Sequence, residues 1–146
     1  FEIASKLMLS GAELTSISDN IYGSIPMNAI KLQSEVLNRI ELHEEEELVV
    51  SYVLQEDYIN YNIESSETDF LIDSIRLVKE SSVALLLKEQ QDKSFKGSLR
   101  SRNELDVQQI ASLFGGGGHK AASGFSTNLS IEEIKNKVKN AIKSQV

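Results

Sequence analysis

The sequence predicts an α/β fold: a mixed β-sheet with flanking helices, preceded by a small N-terminal helical segment. Three observations carry this. Short, nearly continuous apolar runs at Leu48 to Leu54 and Ser82 to Leu87 have the length of buried strands. Segments with apolar residues at helical spacing alternate with them. Strands alternating with helices pack as layers around one core.

In chain order, residues 2–10 read as a helix with Gly11 as its stop, and a second short helix follows around Leu14 to Tyr22. Pro26 suits a first helical turn. Ile30, Val36, Leu37 and Ile40 then recur at helical spacing to about Glu41. Glu44 to Glu47 reads as a solvated connection, with His43 an exposed surface histidine beside it. After the strand at 48–54, residues 56–66 are polar and are expected to form a loop. Phe70, Leu71, Ile75 and Val78 make a helical stripe behind the acidic turn Glu67-Thr68-Asp69. Gln90 to Lys93 supplies a turn after the second strand.

Phe95 to Arg100 alternates, with Phe95, Gly97 and Leu99 on one face and Ser98 and Arg100 on the other. Asp106 can cap a helix carrying Val107, Ile110, Ala111 and Phe114. Phe125 and its neighbours return as a strand. Ser130-Ile131-Glu132-Glu133 is a capping box. It opens a last helix with Ile131, Ile134, Val138 and Ile142 inward, while Lys135, Lys137, Lys139 and Lys143 are expected mostly in water.

Composition excludes several functions. The chain has 146 residues, 40% of them hydrophobic and 25% charged, as in ordinary folded domains. Its apolar runs are too short to span a membrane. There is no cysteine, which removes disulfides, zinc-thiolate sites and thiol nucleophiles. The first residues lack the pattern of a secretory signal, so a cytoplasmic location is expected. Phe1 to Leu9 already reads as helix, so the chain is expected to be the C-terminal part of a longer one. A net charge of −7 suits a small anionic ligand in a local site better than a long polyanion laid across a surface.

Gly115-Gly116-Gly117-Gly118-His119 carries the chemistry. A run of residues without Cβ is costly to order and is kept where the backbone must turn or approach something closely. Inward-turned amides form an anion-binding concavity, and a histidine at the rim adds a donor. The run is no P-loop, because His119 precedes Lys120 and Ala121 follows it. It is no dinucleotide fingerprint either, because the residues before it read as helix rather than strand. Arg100, just upstream, offers a planar fork that matches phosphate. Arg102 could also contribute. The only histidines are His43 and His119, and neither a metal-ligand cluster nor a Ser-His-Asp set can be assembled.

The run from Gly115 to Gly124, preceded by Ser98-Leu99-Arg100-Ser101 and Asp106-Val107, resembles the C-terminal substrate-binding domain of the DHH phosphoesterases. The oligoribonuclease and phosphoadenosine-phosphate phosphatase branch, a bacterial and exopolyphosphatase-related group of hydrolases, is the best match. Ser123 stands where alanine is frequent in that family. The resemblance implies two parts: residues 1–46 as the helical tail of a truncated catalytic domain plus linker, and residues 47–146 as the substrate-binding domain. It implies that Arg100 and His119 contact a substrate phosphate. Gly116, Gly117 and Gly118 would present amides to it, Ser98 and Ser101 would orient or support Arg100, and Gly115 would be a further supporting residue. Manganese or magnesium would sit in the missing catalytic domain, none here, so this chain alone would be inactive. Partners would be a short RNA or nucleotide and that missing domain, with no membrane and with homodimerisation left open. Oligoribonucleotides, 3′-phosphoadenosine 5′-phosphate and dinucleotides are the implied substrates. Similar domains also end alanyl-tRNA synthetases, where they serve RNA binding or association, and single-strand DNA exonucleases.

Overall fold

The computed structural model describes residues 1–102 and 104–145, leaving out the side chain of Tyr22. The helices are α1 (Glu2–Leu9), α2 (Leu14–Tyr22), α3 (Met27–Asn38), α4 (Gln55–Tyr61), α5 (Leu71–Ile75), α6 (Val107–Ser112) and α7 (Ile131–Lys143). The strands are β1 (Glu41–His43), β2 (Leu48–Val53), β3 (Val83–Glu89), β4 (Phe95–Ser101), β5 (Gly117–His119) and β6 (Ala122–Thr127). They form a six-stranded sheet in the order β1-β2-β3-β4-β6-β5. β2 and β3 run parallel, while the other neighbours are antiparallel, so the sheet is mixed as expected.

Helices cover both faces, which is why β2 and β3 read as continuous apolar runs rather than alternating ones. On one face Val50, Leu85, Leu99 and Phe125 pack against α6 and α7 through Val107, Ile110, Ile134, Val138 and Ile142. On the other, Val49, Ala84 and Leu86 meet Ala29, Leu32 and Val36 of α3 and Leu71, Ile72 and Ile75 of α5. Ser51 Oγ donates to the Val36 carbonyl at 2.6 Å, tying α3 to β2. The N-terminal helical segment is thus of two kinds. α1 buries no residue, whereas α3 is built into the core.

Several local expectations need correction. Residues 56–66 are not all loop, since α4 occupies Gln55–Tyr61. Its buried Asp57 accepts from the Leu54 N–H at 2.7 Å and from Arg39 Nη1 at 2.5 Å and Nη2 at 2.9 Å. That charged pair anchors a segment whose polar composition hid it. Glu41 ends no helix; it opens β1, which pairs with β2 through His43 and Leu48. His43 is half-buried rather than exposed. The acidic run is not fully solvated: Glu46 is buried, with Lys143 Nζ 2.9 Å from its Oε1. Lys135 leaves water as well; it is 6% exposed and lies 2.7 Å from Glu41. Lys139 and Lys143 of α7 face the buried Glu46, while the buried Lys135 faces Glu41 of β1.

Candidate functional site

Strand pairing assembles the residues singled out by sequence. Arg100 lies directly opposite Ala122, and Ala122 directly opposite His119. Paired residues of antiparallel strands share a face, so Arg100 and His119 flank Ala122 on one face. Two strand spacings put their Cα atoms about 10 Å apart. One row along, Ser98 pairs with Gly124 and Gly124 with Gly117. This is the face that α3 and α5 cover over β2 and β3. Over β6 and β5 the cover runs out: Gly117, Gly118 and His119 are exposed, and Ser98, Arg100, Ala122 and Gly124 are half-buried.

Local folding explains the placement. Asp106 caps α6 by accepting from the Gln108 and Gln109 N–H groups, as expected. At the other end of α6, Phe114 stacks on Phe125 with ring centroids 4.1 Å apart. Lys137 closes over Phe114 at 4.6 Å and donates to the Leu113 carbonyl at 2.7 Å. Buried Ser123 donates to the Val107 carbonyl, joining β6 to α6. The glycine run therefore leaves a helix that is pinned at both ends.

The glycines themselves divide. The Gly115 N–H donates to Ser112 and the Gly116 N–H to Ala111, both at 3.0 Å, so these amides close the helix rather than face a ligand. A Cβ on Gly116 would stand 2.3 Å from the Gly124 carbonyl oxygen, so that position serves close packing. Gly117 to His119 form β5, an edge strand rather than a free loop. The Ser101 N–H donates to Ala121, which sets the alternation of the β6 ladders. Gly117 and His119 consequently turn their backbone groups toward β6, and Gly118 turns its own to the free edge. Of the amides expected to greet an anion, that of Gly118 is the one so placed.

Arg100 is paired with no carboxylate among the described residues; its Nη1 donates to the Leu99 carbonyl at 3.0 Å. Ser101, at the end of β4, is half-buried. Arg102 is turned elsewhere, donating to the Arg76 and Val78 carbonyls behind α5. Sequence reasoning missed Lys88 and Lys96. These pair directly across β3 and β4, with Ser126 beyond Lys96, one row past Ser98 on the same face. Lys96, Ser98 and Arg100 follow the same two-residue alternation, which was the signal. Lys88 is buried and lies 2.8 Å from Asp69. That hydrogen bond holds the Asp69 carboxyl below its ordinary value, with the charges of Lys96 and Arg100 acting in the same direction.

Among the described residues no group of three His, Asp or Glu side chains is placed to hold a metal ion. No described helix is long and apolar enough to cross a membrane.

The sheet order, the helix layers and the glycine-histidine edge define an α/β domain with a cationic, partly uncovered sheet face. The chain belongs to the DHHA1 domain family, which matches residues 45–144. It is 29% identical over 145 residues to the bifunctional oligoribonuclease and PAP phosphatase NrnA of Thermus thermophilus, covering 99% of this chain and 43% of that protein. A probable NrnA of Streptococcus mutans is 26% identical over 147 residues, covering 98% and 46%. An exopolyphosphatase-related protein from Bacteroides fragilis shares the fold with a TM-score of 0.87 at 21% identity, covering 97% of this chain and 42% of its own. The pGpG-specific phosphodiesterase PggH from Vibrio cholerae superposes with a TM-score of 0.53 at 12% identity, over 82% and 40%. The chain spans less than half the length of each of these proteins. Family and relatives together make it a DHHA1 domain of the kind found in NrnA-like DHH phosphoesterases.

Proposed function

We propose that this domain holds a phosphate of a short oligoribonucleotide or of phosphoadenosine phosphate while a separate catalytic domain, which supplies the metal ions, hydrolyses it. The observation that carries this is the row Arg100, Ala122, His119 on the uncovered part of the sheet. Arg100 supplies a planar cationic fork, His119 a second donor, and Gly118 an edge amide. The small Ala122 between them leaves room for an oxyanion. A phosphate held at this row is fixed in place relative to any second domain that closes over it, which turns encounter into orientation. The open face suits such a closure, because water is expelled only when an opposing surface arrives.

Titration calorimetry of the chain with the 5′-phosphorylated dinucleotide pApA tests the reading. Arg100→Ala and His119→Ala should each weaken binding by about tenfold or more. The chain with Mn²⁺ should leave pApA intact. A double variant that binds pApA as well as the unaltered chain would falsify the assignment, and turnover by the chain would overturn the division of labour. Retention of tRNA with a steep salt dependence in preference to pApA would transfer the domain to the synthetase-like class.

A further inference from the structure

The proposed phosphate row accounts for Arg100 and His119 but not for the cations further along the same face. Lys88 and Lys96 sit directly opposite each other on β3 and β4. Like charges so placed destabilise a sheet. Asp69 neutralises Lys88, at 2.8 Å, and among the described residues no carboxylate is ion-paired with Lys96. Lys96 is exposed, as is Ser126 opposite it on β6. A chain of net charge −7 thus maintains unpaired positive charge on the same stretch of sheet as Arg100.

The surface between the two cations is shaped as well as charged. From the Arg100 row to the Lys96 row is four residues along β4, about 13 Å. The row between them is Ser98, Gly124 and Gly117. A Cβ on Gly117 would meet nothing within 4 Å, so the space above it is open. This row of small residues lies between Arg100 and His119 at one end and Lys96 and Ser126 at the other. That distance is within reach of two flexible cationic side chains contacting phosphates one or two nucleotides apart in an extended strand. Single-strand binders use the same arrangement of a positive groove that tracks the backbone.

We propose that Lys96, aided by Ser98 and Ser126, holds a further phosphate of the strand whose first phosphate lies at Arg100 and His119. The inference rests on the phosphate row proposed above. It makes the preferred substrate class oligoribonucleotides with several phosphates rather than a mononucleotide.

The test is binding of AMP and of the trinucleotide pApApA to the chain, measured by calorimetry at several salt concentrations. Lys96→Ala should lower the ratio of pApApA affinity to AMP affinity by about tenfold. It should also reduce the slope of log K for pApApA against log salt by about 0.7, the loss of one phosphate contact on a single strand. Lys96→Arg should restore both. Arg100→Ala, by contrast, should weaken both ligands. An unchanged affinity ratio in Lys96→Ala, with Arg100→Ala still weakening both ligands, overturns the second subsite alone. If Arg100→Ala leaves both ligands bound as before, the phosphate row itself fails and the subsite with it.

Discussion

Replacing Gly116, Gly117 and Gly118 one at a time separates what the fold demands from what a ligand demands. Alanine at Gly116 would place its Cβ 2.3 Å from the Gly124 carbonyl oxygen and 2.6 Å from Phe125 Cβ. Neither neighbour can swing aside, because one is backbone of β6 and the other belongs to a ring stacked on Phe114. Overpacking of this kind costs about 3 kcal/mol. Gly118 combines a φ of 144° with a would-be contact of 2.7 Å to the Ala122 carbonyl oxygen, so Gly118→Ala should cost a comparable amount. At Gly117 the added methyl meets nothing within 4 Å. It should be neutral or stabilise by about 0.5 kcal/mol, since alanine restricts the unfolded chain. Urea unfolding followed by circular dichroism measures the series. Binding of pApA should instead fall in Gly117→Ala, because the methyl stands in the open space between Arg100 and Lys96. Equal loss of stability at Gly116 and Gly117 would refute the division between packing and ligand access.

Other outcomes follow from the same contacts. Burial is the strongest single influence on the Asp57 carboxyl and pushes its pKa up, but Arg39 and the Leu54 N–H together outweigh it and hold it below the ordinary value. A depressed native pKa means that the stabilisation is present above the ordinary carboxylate range and is lost as pH falls through the native value. Asp57→Asn should therefore flatten the acid limb of stability against pH and cost about 3 kcal/mol at pH 7, read by urea unfolding. Asp106→Ala removes the acceptor for the Gln108 and Gln109 N–H groups and should cost about 1 kcal/mol in the same assay.

Much of the architecture was legible because single segments encode it. The runs at β2 and β3, the alternation of β4 and the caps Asp106 and Ser130 each report their structure without reference to a partner. What escaped depends on distant residues. α4 looks like loop until Arg39, far upstream, supplies the charge that lets Asp57 be buried. β1 is three residues long and exists through its pairing with β2. Glu46 and Lys135 read as surface charges because their partners lie on elements remote in sequence. Lys96 is a different case. The alternation that put Ser98 and Arg100 on one face also includes it, but the open stretch of sheet it shares with them appears only when β6 and β5 extend that face.

The glycine-histidine motif shows why a signature can point to a site while misassigning its parts. Its first two glycines close α6 and let β6 pass beneath, and the last lies on the sheet edge. Those are structural duties, yet they decide where His119 arrives. Without the tight turn at Gly115 and Gly116, β5 could not pair with β6 in the register that sets His119 across from Ala122. Shifting that register by one residue would send the imidazole to the opposite face, where α6 and α7 pack. In the proposed phosphate row, the run of glycine would thus serve an anion chiefly by aiming a histidine, and only secondarily by offering an amide.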